Sequence, residues 1–480
     1  MTSRGLLLRS IALIVVVVAL VLGLASGLLG RGLYAVGLYR DGGSPSVDPT
    51  VFHHSDARST VLPPEPGEPV LAGTSPAPGT SAAAVTERIR ALEPVTGESF
   101  GLIVDESTGA TLYADNAEGA AVPASTLKVL TSLAALEVHG PDHRFATRVL
   151  HDPADPRKLY LVGGGDPYLA KGPAGAAPDR GSILDLAADT ADAVAQRSST
   201  PAAEPLGPLE IVVDTSLFAG PGWNPDWIPV YRDYVAETSA LWVDGARPTG
   251  APIGPREEDP AGVAADAFVA ELRNRGVEVG PISRGEAPAG AMSLAEVHSM
   301  PLENIVEQVL IYSDNDAAEV LFRHVGRSGG RSGSITDAQS AMEEILTELG
   351  AWTEGMRIVD GSGLSRSNLV SARSLTNAVQ LAVKPDADRY RAIPTGMSVA
   401  GTEGTLADRF VAEGTGPGRG LVRAKTGTLT NVHSLAGYVR SDDGSWLVYA
   451  FLVNGEQEEY ATRVWLDRVT AALADCGCQG

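Results

Sequence analysis

The chain has 480 residues, which is enough for two or three domains with a sizeable apolar core. Its formal net charge is −22 at pH 7, and it has no run of basic residues of the kind that follows a phosphate backbone, so we expect no nucleic-acid partner. Its histidines show no metal-binding spacing, so the sequence predicts no metal and no cofactor. The only cysteines, Cys476 and Cys478, are expected to form a tail feature outside any core.

The N-terminus carries a targeting signal. Arg4 and Arg9 precede residues 11–29, which are uncharged, mostly apolar and long enough to cross a bilayer as a helix. The arginines predict that this end stays in the cytoplasm and that the remainder lies outside. A cleaved signal peptide is the alternative, because residues 25–27 are small. We assign residues 1–40 to a cytoplasmic stub and membrane anchor, or to that signal peptide.

A linker and the first regular elements follow. Residues 41–82 are rich in Pro, Gly and Ser and predict a semi-extended linker. A helix is expected from Ala83. Residues 100–105 and 110–114 predict two strands joined by a turn.

A helix with a nucleophile in its first turn is predicted next. Pro123 suits the first helical position, and Gly140-Pro141 ends the apolar period. Ser125 and Lys128 are three residues apart, so they share a helix face and the amine can reach the hydroxyl. This pair predicts a serine activated by a lysine. The motif alone is weak evidence, although lysine is scarce in this chain.

Residues 146–290 have a different sequence pattern and contain few clusters of catalytic residue types. The glycines of 163–167 are contiguous and precede a proline, so they predict a sharp turn and not a dinucleotide-binding loop. Strands are expected at 158–162 and 209–213, and helices at 183–196 and 261–275. We interpret this block as an insertion.

Polar residues then lie between two predicted helices. Residues 301–311 predict a helix, Ser313-Asp-Asn315 a tight loop, and Asp316 with Glu319 the capping box of a second helix. The loop either projects polar groups into a cleft or only caps the helix.

The last part of the chain predicts a loop and a set of strands. Asp360 to Arg366 is a Gly/Ser loop, in which Asp360 and Ser362 either turn the chain or contact substrate. Strands are expected at 421–429, 434–439 and 446–453, followed by a helix at 456–474. We expect the hairpins from both ends of the chain to complete one antiparallel sheet with helices on its faces.

Three motifs now stand in order, S-x-x-K at 125–128, S-x-N at 313–315 and K-T-G at 425–427. This set resembles the penicillin-binding proteins and serine β-lactamases. The two motif serines are 188 positions apart, a spacing similar to that of the D-alanyl-D-alanine carboxypeptidase/endopeptidase family of the penicillin-binding protein 4 type. The E-x-x-L-N sequence of class A β-lactamases is absent.

The resemblance implies an α/β (α+β) fold of the penicillin-binding-protein/β-lactamase-like transpeptidase type. Its antiparallel sheet would be flanked by helices, with a large inserted domain between the first two motifs. The catalytic domain would comprise residues 83–145 and 291–480, and the insertion residues 146–290.

The resemblance also implies a serine D,D-peptidase that acts on peptidoglycan. Ser125 would attack the carbonyl of the penultimate D-Ala, and Lys128, with a pKa lowered by burial, would act as base. Ser313 would relay the proton to the leaving nitrogen. Asn315 would orient Lys128 and the substrate amide.

The third motif would bind substrate through Lys425, Thr426, Gly427 and Thr428. The backbone N–H groups of Ser125 and Thr428 would form the oxyanion hole.

The partners implied are peptidoglycan stem peptides ending in D-Ala-D-Ala, β-lactams as inhibitors, and a membrane through the N-terminal helix. The expected location is the extracytoplasmic face of the bacterial membrane, or the exterior if the signal is cleaved. A β-lactamase or esterase on the same scaffold and a non-catalytic sensor remain as alternatives. Carboxypeptidase and endopeptidase activity are not separated by the sequence.

Overall fold

The computed structural model describes residues 80–92, 95–172, 179–198, 207–384 and 386–478. The predicted membrane helix and nearly all of the predicted linker lie outside these ranges. Within them, no helix combines the length and the apolar character needed to cross a membrane.

The strands of the described ranges form two sheets. In chain order they are β1 (Glu98–Asp105), β2 (Thr111–Asp115), β3 (Ala146–Asp152), β4 (Asp155–Val162), β5 (Leu209–Asp214), β6 (Val279–Arg284), β7 (Met292–His298), β8 (Ser398–Val399), β9 (Arg423–Leu429), β10 (Val432–Arg440) and β11 (Trp446–Asn454).

Helices flank both sheets. In chain order they are α1 (Ala82–Arg90), α2 (Leu127–His139), α3 (Ile183–Ser198), α4 (Pro260–Asn274), α5 (Leu302–Ile311), α6 (Asn315–Val325), α7 (Ile335–Glu348), α8 (Ala372–Val383), α9 (Ala392–Thr395) and α10 (Glu459–Ala474).

The first sheet joins the two ends of the chain, as predicted. Its six strands follow the order β2-β1-β11-β10-β9-β8, and every neighbouring pair is antiparallel. The central strand β11 is apolar along its length because both faces are covered. Val448 and Leu452 face the core that contains α2, whereas Leu447 and Phe451 face the core that contains α10. The expected sheet with helices on both faces is therefore confirmed.

The second sheet is mixed, with strand order β6-β5-β4-β3-β7. β4, β5 and β6 run parallel to one another, and α3 and α4 pack on this sheet through an apolar core of their own. β7 pairs with β3, so this sheet continues past residue 290, the end that we predicted for the insertion. The assignment of residues 146–290 to a separate domain stays a prediction.

The position expected for the cysteines was wrong. Cys476 and Cys478 are disulfide-bonded and buried in the core that α10 shares with α1. The Cys478 carbonyl also accepts a hydrogen bond of 2.6 Å from the backbone N–H of Ser81. The pair therefore fixes the C-terminus against the first described helix, which sequence position alone did not indicate.

Three histidines meet where α2 and α6 approach the loop after β4. The ring of His324 stacks on Phe145 at 3.8 Å between centroids, and its Nε2 lies 2.8 Å from the carbonyl oxygen of Gly165. His139 packs against both His143 and His324. Burial lowers the pKa of His139 to about 4 and the pKa of His324 to about 3, and neighbouring imidazoles add to both shifts.

We therefore expect acid to destabilise the fold from about pH 6.5 downward. The unfolded chain binds protons on these histidines near pH 6.5, whereas the folded chain does so only near pH 3 to 4, so stability is complete above pH 6.5 and falls as the pH drops. The loss should be about 3 kcal/mol for His324 by pH 4, because each pH unit between 6.5 and 4 contributes about 1.4 kcal/mol. Urea unfolding between pH 4 and 7 should show a shallower dependence in His324→Leu than in the wild type. The control is the same substitution at the exposed His298, which should keep the wild-type dependence on pH. A wild-type slope in His324→Leu would contradict this prediction.

Candidate active site

The predicted nucleophile lies in a short 3-10 turn, Ala124–Thr126, that leads directly into α2. We predicted that Ser125 lies in the first turn of an α-helix that begins at Pro123. This was wrong by one turn, because the α-helix begins at Leu127. Two hydroxyl groups hold the turn, because Thr126 Oγ1 and Ser434 Oγ each donate to the Pro123 carbonyl, at 2.7 and 2.6 Å. Ser125 itself is the middle residue of the turn and is half-buried.

Lys128 reaches Ser125 as the spacing predicted. Its Nζ lies 3.1 Å from Ser125 Oγ, 2.7 Å from Asn315 Oδ1 and 2.7 Å from the Ser362 carbonyl oxygen. The side chain is fully buried. Three acceptors therefore fix the amine against the nucleophile.

The second motif lies where α5 ends and α6 begins. Ser313 has φ +57°, a left-handed conformation that aims its hydroxyl at the third motif. Asn315 is the first residue of α6 and also donates from Nδ2 to the Tyr234 carbonyl at 3.1 Å. The cap of α6 is Asp314, which accepts from the N–H of Ala317, and not Asp316 as we expected.

The third motif lies on β9, where β8 no longer covers the strand edge. Lys425 Nζ donates to Ser313 Oγ at 2.9 Å and to the Thr426 carbonyl at 2.8 Å. Thr426 donates to the hydroxyl of Thr405, and Thr428 is exposed. Because β8 pairs only with Arg423 and Ala424, this edge of β9 has no strand partner from Lys425 onward.

Two glycines let backbone segments approach the nucleophile turn. A Cβ on Gly427 would overlap Ser434 Oγ and lie 2.7 Å from the Pro123 carbonyl. A Cβ on Gly363, which has φ +85°, would overlap the Ala124 carbonyl. Both positions require glycine for the turn, β9 and the 360–366 loop to meet.

The model for the D-Ala-D-Ala carboxypeptidase 3 (S13) family matches residues 81–248 and 235–473. This chain belongs to that family. A carboxypeptidase of Mycobacterium tuberculosis is 33% identical over 445 residues, which cover 89% of this chain and 92% of that protein. Carboxypeptidase DacB of Mycolicibacterium smegmatis is 32% identical over 438 residues, covering 88% and 92%.

The solved structures support the same fold. Penicillin binding protein 4 from Haemophilus influenzae matches with a TM-score of 0.65 at 21% identity, covering 80% of this chain and 97% of that one. That protein has also been solved in complex with a β-lactam. The predicted penicillin-binding-protein fold is therefore confirmed, as is membership of a D-Ala-D-Ala carboxypeptidase family.

Burial sets the electrostatics of this S13-family site. It lowers the pKa of Lys128 to about 8, although Glu319, Asp360, Asp314 and Asp316 raise it in part. Burial and the charge of Lys128 lower the pKa of Lys425 well below its usual value. The site can therefore supply a neutral amine near neutral pH. The amine of Lys128 is the one that contacts the predicted nucleophile.

The 360–366 loop supports the site through the hydrogen bonds of Asp360. The buried Asp360 accepts hydrogen bonds from Trp227 Nε1 at 2.9 Å, the N–H groups of Gly363 and Ser365 at 2.9 and 2.7 Å, and Asn368 Nδ2 at 2.7 Å. With both carboxylate oxygens occupied and no exposed surface, Asp360 organises the turn.

Sequence reasoning missed some of the groups that hold Lys128. The buried Glu319 accepts from the N–H groups of Gly361 and Ser362, at 3.0 and 2.7 Å, and thereby places the Ser362 carbonyl on Lys128. Burial, followed by the charge of Asp360, raises the pKa of Glu319 to about 8. A backbone carbonyl leaves no trace in a residue pattern. Only the position of Glu319, one turn after Asn315, hinted at its contact.

Proposed function

We propose that Ser125 of this S13-family enzyme forms an acyl-enzyme with D-alanyl-D-alanine stem peptides of peptidoglycan, releases the terminal D-Ala, and is inhibited by β-lactams. The observation that carries the proposal is the pair of lysine–serine contacts in one cleft. Lys128 Nζ lies 3.1 Å from Ser125 Oγ, and Lys425 Nζ lies 2.9 Å from Ser313 Oγ.

Acylation begins with a proton transfer. Neutral Lys128 takes the proton of the Ser125 hydroxyl as the oxygen bonds to the carbonyl carbon of the penultimate D-Ala. The negative charge on the carbonyl oxygen is stabilised by the backbone N–H groups of Ser125 and Thr428. The C–N bond then breaks, and Ser313 relays the proton held by Lys128 to the leaving nitrogen, which leaves Lys128 neutral again. Water hydrolyses the resulting ester and frees Ser125.

The third motif binds the free carboxylate of the substrate. Lys425, Thr426 and Thr428 line the open strand edge, and Gly427 keeps that edge close to Ser125. A substrate carboxylate beside Lys425 raises the pKa of this lysine and returns it to the charged state. Lys128 then remains as the neutral base, because two charged amines in one buried site are unfavourable.

The N-terminal segment is part of the same proposal. Arg4, Arg9 and the apolar residues 11–29 support a location at the outer face of the membrane, where peptidoglycan lies. Protease added to intact spheroplasts should digest the enzyme, whereas a cytoplasmic marker survives. Protection of the enzyme would exclude this location.

The function is tested by intact-protein mass after mixing the full-length protein with benzylpenicillin, together with D-Ala release from a stem pentapeptide. We expect a stable adduct of one penicilloyl group, mapped to Ser125 by peptide analysis, and release of D-Ala. A rapid return to the free mass with penicillin consumed would indicate a β-lactamase instead. A stable adduct without D-Ala release would point to a sensor or to an endopeptidase, and a cross-linked muropeptide would separate these two.

A further inference from the structure

A buried ion-pair cluster joins the second motif to the segment before α4. Arg247 Nη2 lies 2.8 Å from Asp314 Oδ1 and 2.6 Å from Asp316 Oδ2. Arg256 Nη2 lies 3.2 Å from the same oxygen of Asp316. Asp316 also accepts from the N–H of Ala236 at 2.7 Å. These side chains are between 2% and 18% exposed, so solvent screens the pairs little.

The cluster restrains the loop that carries two of the predicted catalytic groups. Asp314 lies between Ser313 and Asn315, and its Oδ1 accepts both from Arg247 and from the Ala317 N–H that begins α6. A shift of Asp314 therefore moves Ser313 relative to Lys425, and Asn315 relative to Lys128. Loss of one partner from a buried pair is costly because the other charge stays buried, so Arg247 holds this loop firmly.

The cluster also changes the electrostatic potential at Lys128. Asp314 and Asp316 are among the carboxylates that raise the pKa of this lysine against the larger effect of burial. Arg247 and Arg256 carry compensating positive charge. The other titratable groups that act on Lys128 are Glu319, Asp360 and Lys425. Tyr168 lies beside Asp314 and Arg247, and Arg180 lies beside Tyr168.

We propose that Arg247 is a positioning residue for acylation. It fixes the loop of Ser313 and Asn315 through Asp314, and it offsets the negative charge that Asp314 and Asp316 place near Lys128. This inference rests on the proposed function, and it assigns to the segment before α4 a direct part in setting the rate and pH dependence of the reaction.

The test compares penicillin acylation across pH 5 to 10 in the full-length wild type, Arg247→Met and Asp314→Asn. Arg247→Met removes positive charge, so we expect acylation at pH 7 to fall at least ~10-fold and its pH midpoint to rise. Asp314→Asn keeps a capping oxygen but removes negative charge, so its midpoint should fall. Opposite shifts are a signature that loss of stability alone does not produce.

Controls separate the possible failures. Arg284→Met breaks an exposed ion pair with Asp259, which contacts neither Asp314 nor Asp316, and should keep the wild-type rate and midpoint. If Arg247→Met does not fold, Arg247→Lys decides, because lysine keeps the charge but lacks the planar group that spans both carboxylates. It should acylate severalfold more slowly with a nearly wild-type midpoint. Wild-type rates in the folded Arg247 variant, or midpoints that do not move in opposite directions, would overturn the inference. A wild type that is not acylated would instead remove the proposed function.

Discussion

Ser125→Ala should abolish both the penicillin adduct and the release of D-Ala. Without the hydroxyl no acyl-enzyme forms, and the loss of rate should be on the order of 10⁴-fold or more. The fold should survive, because the hydroxyl is half-buried and Lys128 keeps its contacts with Asn315 and the Ser362 carbonyl. Acylation is measured by intact mass, and folding by thermal unfolding.

The helix that follows Ser125 offers a matched control. Ser132 is fully buried on α2, and its hydroxyl has no hydrogen-bond partner within the described part of the chain. Ser132→Ala should therefore acylate at the wild-type rate. An adduct that persists in Ser125→Ala would place the nucleophile elsewhere and remove the central assignment.

Lys128→Ala should fold but lose acylation by about 10²- to 10⁴-fold, the range expected for loss of a general base. The variant should also be less stable by about 1–3 kcal/mol, because Asn315 Oδ1 and the Ser362 carbonyl lose a buried donor. Lys128→Arg keeps a positive charge that cannot be removed near neutral pH. It therefore distinguishes the role of Lys128 as a base from the role of its charge. Acylation is measured by stopped-flow mixing with a chromogenic cephalosporin.

Lys128 also predicts the pH profile of the wild type. Because its pKa is about 8 in the folded protein, the neutral amine grows tenfold per pH unit below pH 8 and then levels off. The acylation rate should follow this curve. Normal acylation in Lys128→Arg would exclude Lys128 as the base and direct attention to Lys425, whose pKa is also lowered.

Lys425→Ala distinguishes the two lysines. If Lys425 binds the substrate carboxylate, the variant should lose affinity for penicillin and pentapeptide while the pH midpoint of acylation rises or stays. Removal of its positive charge relieves the repulsion on protonated Lys128, so the pKa of Lys128 does not fall. Loss of the pH dependence itself would make Lys425 the base.

The sequence determined the site through local spacing. Ser125 and Lys128 share a face whether their turn is α-helical or 3-10, so the error in helix type did not separate them. The run of β-branched and aromatic residues in β9 to β11 predicted strands for the same reason, since strand propensity and apolar pattern are properties of a few neighbouring residues. These local signals also predicted five of the six strands of the first sheet, whose hairpins lie at the two ends of the chain, but not the two-residue β8.

Only the tertiary structure decided how distant segments support that site. The Ser362 carbonyl on Lys128, the Tyr234 carbonyl on Asn315 and the Arg247 bridge to Asp314 join residues that are remote in sequence. A backbone carbonyl has no residue signature, and an arginine paired in the interior has the same sequence appearance as one on the surface. Strand β3 was likewise not predicted, since its pairing with β4 and β7 depends on partners elsewhere in the chain. Local chemistry therefore fixes which groups can react, whereas long-range packing fixes their orientation, burial and charge.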